Sequence, residues 1–164
     1  MGISLEPNNI SRGGEYNPAM PDFRFYHPIE VRYGDLDPQG HVNNARYLTY
    51  FEQARVAYIR HLGLWNGGSF KDFGVILAEA KLTFLAPVVF GQPIRAGVRV
   101  TKLGNKSLTM EYILEDVESG KGLCSGSAVL VAYNYHRAET IPVPETWRAA
   151  LRAFEGLDEN TENP

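Results

Sequence analysis

Apolar positions along the chain change their period several times, and each change marks a new element. Residues 23–33 alternate loosely, with Phe23, Phe25, Ile29, Val31 and Tyr33 on one parity. This predicts a strand, and Pro28 inside it lacks a ladder donor and points to an edge position. Residues 34–44 gather Gly, Asp, Pro and Asn into one stretch, the residue types that make turns and satisfy free amides at a helix start. From 45 to 62 there is no Gly or Pro, and Tyr47, Phe51, Ala54, Tyr58 and Leu62 recur every three or four places. A helix is predicted there, with Gly63 as its stop.

Past Gly67, Gly68 and Gly74 the period drops to two. Ile76, Ala78, Ala80, Leu82 and Phe84 oppose Glu79, Lys81 and Thr83. The same alternation sets Ile94, Ala96, Val98 and Val100 against Arg95, Arg99 and Thr101, and Leu108, Met110, Tyr112 and Leu114 against Ser107, Thr109, Glu111 and Glu115. Residues 123–135 are apolar or small on both faces, which predicts a strand inside the sheet, with Gly126 and Ala128 leaving room for a close neighbour. Residues 144–154 predict a short helix starting at Pro144, with Trp147, Leu151 and Phe154 as its apolar stripe. Strand, helix, four consecutive strands and a last helix define an α+β layout. An antiparallel sheet wraps one central helix, and its connections are short enough for hairpins.

Length and composition fit one globular domain: 164 residues, 44% apolar and 12% aromatic. Residues 1–22 are mostly Gly, Pro, Asn, Ser and Glu and are expected to form a flexible arm. Residues 23–156 form the domain, and the acidic stretch 157–164 is expected to fray. The net charge of −3 gives no field to hold a polyanion, so nucleic acid is excluded as a first reading. The single cysteine, Cys124, excludes a disulfide framework and any multi-cysteine zinc site, and fits a reducing compartment. No apolar run approaches the roughly 20 residues of a membrane helix. Residues 1–22 lack the order of a secretory signal, and a cytoplasmic protein without membrane contact is expected. His27, His61 and His136 are scattered without ligand spacing, so no metal is expected.

Chemistry concentrates in the turn. Asp35 and Asp37 precede the helix, and Pro38 biases Asp37 toward extended backbone. Amides around residues 42–44 lie where a helix start offers unpaired N–H groups and partial positive charge to a developing oxyanion. Carboxylate and oxyanion donor in one segment suit acyl transfer. A site this modest needs a good leaving group, and a thiol with pKa ~8.5 leaves without a protonating acid, so a thioester is the expected substrate. Cys124 lies in an apolar strand, and no Gly-x-Ser-x-Gly elbow or Ser-His-Asp arrangement is readable.

Tyr33-Gly34-Asp35-Leu36-Asp37-Pro38-Gln39-Gly40-His41-Val42-Asn43-Asn44, followed by Tyr47 and Phe51-Glu52-Gln53-Ala54-Arg55, resembles the signature of hot-dog-fold acyl-CoA thioesterases of the 4-hydroxybenzoyl-CoA thioesterase type. The resemblance runs over residues 23–135. It implies that Asp37 is the catalytic aspartate, as nucleophile through a mixed anhydride or as general base on water, with a backbone amide near Asn44 as oxyanion donor. It implies a homodimer whose sheets join edge to edge, with active sites at the subunit interface and further pairing into tetramers. Coenzyme A is then part of the substrate and no cofactor is expected. Residues 102–107 correspond to the turn that meets the nucleotide end of coenzyme A in relatives, with Lys106 and Ser107 as phosphate contacts.

Each candidate also has a plainer role. Asp37 could be a cap carboxylate contributing about 1 kcal/mol to the helix, and Asp35 reads as a support for the loop. Glu52 rivals Asp37, because other branches of the fold carry the carboxylate on the central helix; its plain role is a structural bond to a neighbouring loop. His41 meets either the thioester or loop backbone. Asn43 orders a water or caps the helix. Tyr47, Tyr50, Phe51, Tyr58 and Trp65 line an acyl pocket or fill the core, Tyr33 is expected to bind substrate, and Arg55 is solvated or paired with a carboxylate on the sheet. The functional reading is an acyl-CoA thioesterase, with a noncatalytic acyl-CoA-binding module on the same fold as the alternative.

Overall fold

The computed structural model describes residues 23–158. The expected arm, residues 1–22, and residues 159–164 of the expected tail lie outside them. The chain runs β1 (Phe25–Ile29), a 3-10 turn (Tyr33–Asp35), α1 (Arg46–His61), a second 3-10 turn (Phe70–Asp72), β2 (Val75–Phe84), β3 (Ile94–Leu103), β4 (Ser107–Asp116), β5 (Gly122–Asn134), β6 (Glu139–Thr140) and α2 (Glu145–Glu155). The strands form one antiparallel sheet in the order β1-β3-β4-β5-β2, and β6 pairs with β5 beyond that path. Wrapped around α1, this is the α+β hot-dog arrangement.

α1 exists because one of its faces is almost entirely ring and methyl. Tyr47, Tyr50, Phe51, Ala54, Tyr58 and Ile59 are all buried against the concave face of the sheet, each large side chain contributing about 2 kcal/mol. From the sheet come Ala96, Val98, Met110, Tyr112, Leu114, Ala128 and Leu130, the inward parity of β3, β4 and β5. Phe51 stacks on Tyr112 with centroids 4.8 Å apart. The room expected at Gly126 is filled by Phe51, whose ring would lie 2.8 Å from a Cβ there.

Several expectations change. β1 stops at Ile29 because its partner β3 begins at Ile94, so the residues beyond lack a ladder; Tyr33 is 81% exposed. Pro28 does lie in an edge strand. The four consecutive strands are not one meander of hairpins: only β3, β4 and β5 pair in succession, while β2 lies beside β5 at the far edge. Residues 85–93 therefore carry the chain across the end of the sheet.

The alternation assigned to β2 is broken by a bulge at Ala78, between the pairs Leu77↔Leu130 and Glu79↔Val129. Leu77, Ala80 and Leu82 therefore share the helix face, and Ile76 turns to the other. A similar shift at Thr101 brings Leu103 of β3 onto the buried face. Glu139 and Thr140 form a short strand that periodicity does not reveal. α2 is capped by Pro144 and by Gly156 at φ 71°, a left-handed cap that favours glycine.

Replacing Gly126 by Val forces β5 away from Phe51. The overpacking should cost about 2 kcal/mol and lower Tm by roughly 4–8 °C, measurable by calorimetry. An unchanged Tm would show that α1 does not sit on this strand as described.

Candidate active site

The turn before α1 is held by one buried carboxylate. Asp35 is 1% exposed and accepts from the Arg32 main-chain N–H at 3.1 Å, from Arg32 Nε and Nη2 at 3.2 and 3.0 Å, and from the Tyr50 hydroxyl at 2.9 Å. Arg46 Nε stands 3.7 Å away. Burial alone would raise the Asp35 pKa, but the bonds from Arg32 and Tyr50 outweigh it and hold the carboxyl below its usual range.

The main chain around it is equally committed. Asn43 N–H donates to Asp35 O and Val42 N–H to Val88 O, both at 2.8 Å. Asp37 N–H donates to His41 O at 2.8 Å, and bridges join Leu36 to Val42 and His41 to Val89. Residues 36–42 are thus a small hairpin stapled to the 85–93 crossing, closed at Gly40, whose φ of 80° favours glycine.

Asp37 is half-buried on this hairpin. Its Oδ1 accepts from Gln39 N–H at 2.9 Å and His41 N–H at 3.1 Å, while Oδ2 accepts nothing from the described residues. Asp37 is thus held through one oxygen alone. Of the amides expected to serve an oxyanion, those of Val42 and Asn43 are spent on Val88 and Asp35. Ala45 N–H donates to Asn43 Oδ1 at 3.0 Å, and Arg46 N–H to Asn43 O at 2.9 Å. The Asn44 N–H enters none of these bonds. The donor set expected at residues 42–44 therefore narrows to Asn44, and the Asn43 side chain closes the turn ahead of α1 by accepting from Ala45 N–H.

Tyr47 is 3% exposed, packed edge-on against Phe84 with centroids 5.0 Å apart. Burial raises its pKa, with Cys124 and the nearby Asp37 adding to the effect. It forms a wall between Asp37 and the end of β2 and offers no open face to a ligand. His41 is exposed, and its main chain is what pairs with Asp37. Tyr33 meets Phe90 edge-on at 6.3 Å on the outer surface.

Glu52 lies on the next turns of α1 and pairs with Arg55 at 3.2 Å; Arg55 in turn reaches the Tyr112 hydroxyl at 3.4 Å. Both line a cavity of about 120 Å³ between α1 and β2, with Leu48, Phe51, Leu77 and Leu82, and a wider cleft of about 850 Å³ beside it. In the single chain neither reaches Asp37, which stands at the open edge. Lys106 and Ser107 are not brought to it either. They follow Leu103 at the far end of β3, nine residues from Ile94, which is about 30 Å at the rise of a strand.

Burial pushes the Cys124 thiol up to about 11, which suits a core residue and not a nucleophile. Among the described residues no group of three His, Cys, Asp or Glu could hold a metal, and no helix is long and apolar enough to cross a membrane. Periodicity and turn chemistry do not reveal the roles of Arg32 and Tyr50. The only signals are Arg32 three residues before Asp35 and Tyr50 one turn after Tyr47.

Comparison with known proteins places this geometry in a class. The crystal structure of a thioesterase of Thermus thermophilus, complexed with coenzyme A and zinc, matches with a TM-score of 0.74 and 33% identity, covering 85% of this chain and 99% of that one. The fold is thus that of the hot-dog thioesterases. A family model described as the Thioesterase-like superfamily matches residues 31–151, and the chain belongs to that superfamily.

The acyl-CoA thioesterase YbgC of Haemophilus influenzae is 49% identical over 66 residues, 40% of this chain and 43% of that protein. The 1,4-dihydroxy-2-naphthoyl-CoA hydrolase of Synechocystis is 24% identical over 129 residues, 77% and 94%. By class, the protein is a thioester hydrolase.

Asp35→Asn should destabilise the fold by about 2 kcal/mol, because it replaces one buried acceptor oxygen with an amide donor that faces the donors of Arg32 and Tyr50. A carboxyl with a lowered folded pKa stabilises above its unfolded pKa near 3.8 and loses that contribution as pH falls through the folded value. The gap between wild type and variant in denaturant melts should therefore be full at neutral pH and shrink below about pH 4. A gap constant down to pH 2 would contradict the ionised role.

Proposed function

We propose that the protein hydrolyses acyl-CoA thioesters, with the Asp37 carboxylate as catalytic base or nucleophile and the Asn44 main-chain N–H as oxyanion donor. The observation that carries this reading is that Asp37 keeps one unengaged carboxylate oxygen and Asn44 one unspent amide, both in the segment that leads into α1. As base, Asp37 takes a proton from water while the water oxygen attacks the carbonyl carbon. The carbonyl oxygen becomes negative against Asn44 N–H, the C–S bond breaks, and the thiolate of coenzyme A takes up the proton. As nucleophile, Oδ2 itself attacks and the C–S bond breaks to expel the thiolate of coenzyme A, leaving a mixed anhydride; water then opens it to the carboxylic acid and the free Asp37 carboxylate, and the thiolate takes up the proton released. His41 holds Asp37 through its main chain in both routes.

The same site explains a homodimer. β2 is an unpaired edge with Ile76, Leu77 and Phe84 between 39% and 51% exposed, and Leu48 of α1 joins them at 43%. An apolar edge of this kind requires a cover. A two-fold axis pairing β2 with its copy runs the strands antiparallel and brings the Phe84 end of one chain toward the Val75 end of the other. Val75 pairs with Ala132, whose N–H donates to Lys106 O. The distant turn of the partner then lies near Asp37, so one extended substrate spans both. The cavity between α1 and β2, roofed by the partner, receives the acyl group.

Asp37→Asn should lower kcat about 10³-fold while circular dichroism and acyl-CoA binding persist, read by thiol release over aliphatic, hydroxylated and aromatic acyl-CoAs. Turnover near wild type would remove Asp37 from the mechanism. Binding without thiol release from any member of the panel would mark a noncatalytic acyl-CoA-binding module. Leu77→Asp, placing a charge on the β2 edge, should convert a dimer to monomers in sedimentation and abolish most activity. A variant with unchanged mass and turnover would exclude this edge as the interface.

A further inference from the structure

Resting on the acyl-CoA reading above, the β3–β4 turn carries a second inference. Arg148 of α2 is 8% exposed, set between the buried Trp147 and Leu151 of the same helix. Its Nη2 donates to Gly104 O at 2.6 Å and Asn105 O at 2.8 Å, and Nε donates to Val143 O at 3.3 Å. Asn105 O also accepts from Val143 N–H, and Lys106 O from Ala132 N–H, both at 2.8 Å.

The peptide bonds here are trans, so each C=O points opposite to the N–H that follows it. Drawing the Gly104 and Asn105 carbonyls inward onto one nitrogen therefore turns the Asn105 and Lys106 N–H groups outward. Neither is a donor in the hydrogen bonds of this turn, and both residues are exposed. Adjacent outward amides form an anion-binding concavity, and the Lys106 ammonium and Ser107 hydroxyl belong to the same turn. Lys106 Nζ is itself steadied by Thr140, at 3.1 Å from Oγ1 and 3.3 Å from O.

We propose that Arg148 is a positioning residue for the nucleotide of the substrate: by fixing two carbonyls inward it presents the Asn105 and Lys106 amides to a phosphate group of coenzyme A. Arg148 touches no substrate and acts through the turn. A lysine cannot reproduce the fork that reaches both carbonyls and Val143 together.

The test compares two thioesters of one acyl group, acyl-CoA and acyl-pantetheine, the second lacking the nucleotide. Arg148→Met and Arg148→Lys should each lower the acyl-CoA to acyl-pantetheine ratio of kcat/KM about tenfold, the loss of roughly one charge-assisted contact, through KM and not kcat. A purely structural role would lower both substrates in parallel and leave the ratio intact, which would overturn the proposal.

Lys106→Ala is the control. If it lowers the ratio while the Arg148 variants do not, the phosphate site stands and the positioning role fails. If wild type itself shows no preference for acyl-CoA, the nucleotide reading fails and the inference with it. Independently of any variant, titrating wild type with adenosine 3′,5′-bisphosphate should shift the Asn105 and Lys106 amide resonances. Unmoved resonances at saturating nucleotide would also overturn it.

Discussion

The whole molecule depends on one helix filling one curved sheet. α1 presents Tyr47, Tyr50, Phe51, Ala54 and Tyr58 to a concave face lined by the inward parity of β3, β4 and β5. Phe51 reaches the backbone at Gly126 and stacks on Tyr112. Interiors packed this closely do not tolerate sliding, so the position of α1 along the sheet is fixed to within a fraction of a residue. The first turn of α1 is therefore fixed too, and with it the Asn44 amide two residues earlier in the chain.

The polar half of the design grows from the same helix. Tyr50, part of the buried stripe, turns its hydroxyl to Asp35, and Asp35 gathers Arg32 and the turn between them. Core packing and loop geometry thus meet in one side chain. The loop can then hold Asp37 by a single oxygen while the surrounding amides are consumed by Val88 and Asp35. At the entrance to α1 the main-chain N–H groups of Val42, Asn43, Ala45 and Arg46 are all engaged, and that of Asn44 enters none of these bonds.

Much of this is legible in the chain itself. The helical period in residues 45–62 and the alternation in β3 and β4 place those elements correctly, because each has one buried face. Pro28 marks an edge strand, and Gly126 a close approach. β2 is misread at both levels, since a bulge at Ala78 and an edge position are tertiary facts. Its apolar residues on both parities, Ile76 beside Leu77, belong to a strand with a neighbour on one flank only. The acid-rich turn draws attention to Asp37 by composition, but the division between spent and free amides depends on the 85–93 crossing, which no local pattern encodes. Arg148 is invisible for the same reason: the two carbonyls its Nη2 holds are more than forty residues away.

The crossing of residues 85–93 also bears on how the chain acquires its shape. β3, β4 and β5 follow one another through short turns, so they can assemble early at little loop-closure cost. β2 precedes them in the chain yet must find the far side of β5, with a neighbour on one flank only. It should be the last strand to dock and the first to open. In the isolated chain, amide exchange would then rank the sheet by neighbours, fast along the edges β1 and β2 and slowest in β4, so that whatever covers β2 also slows the opening of that edge.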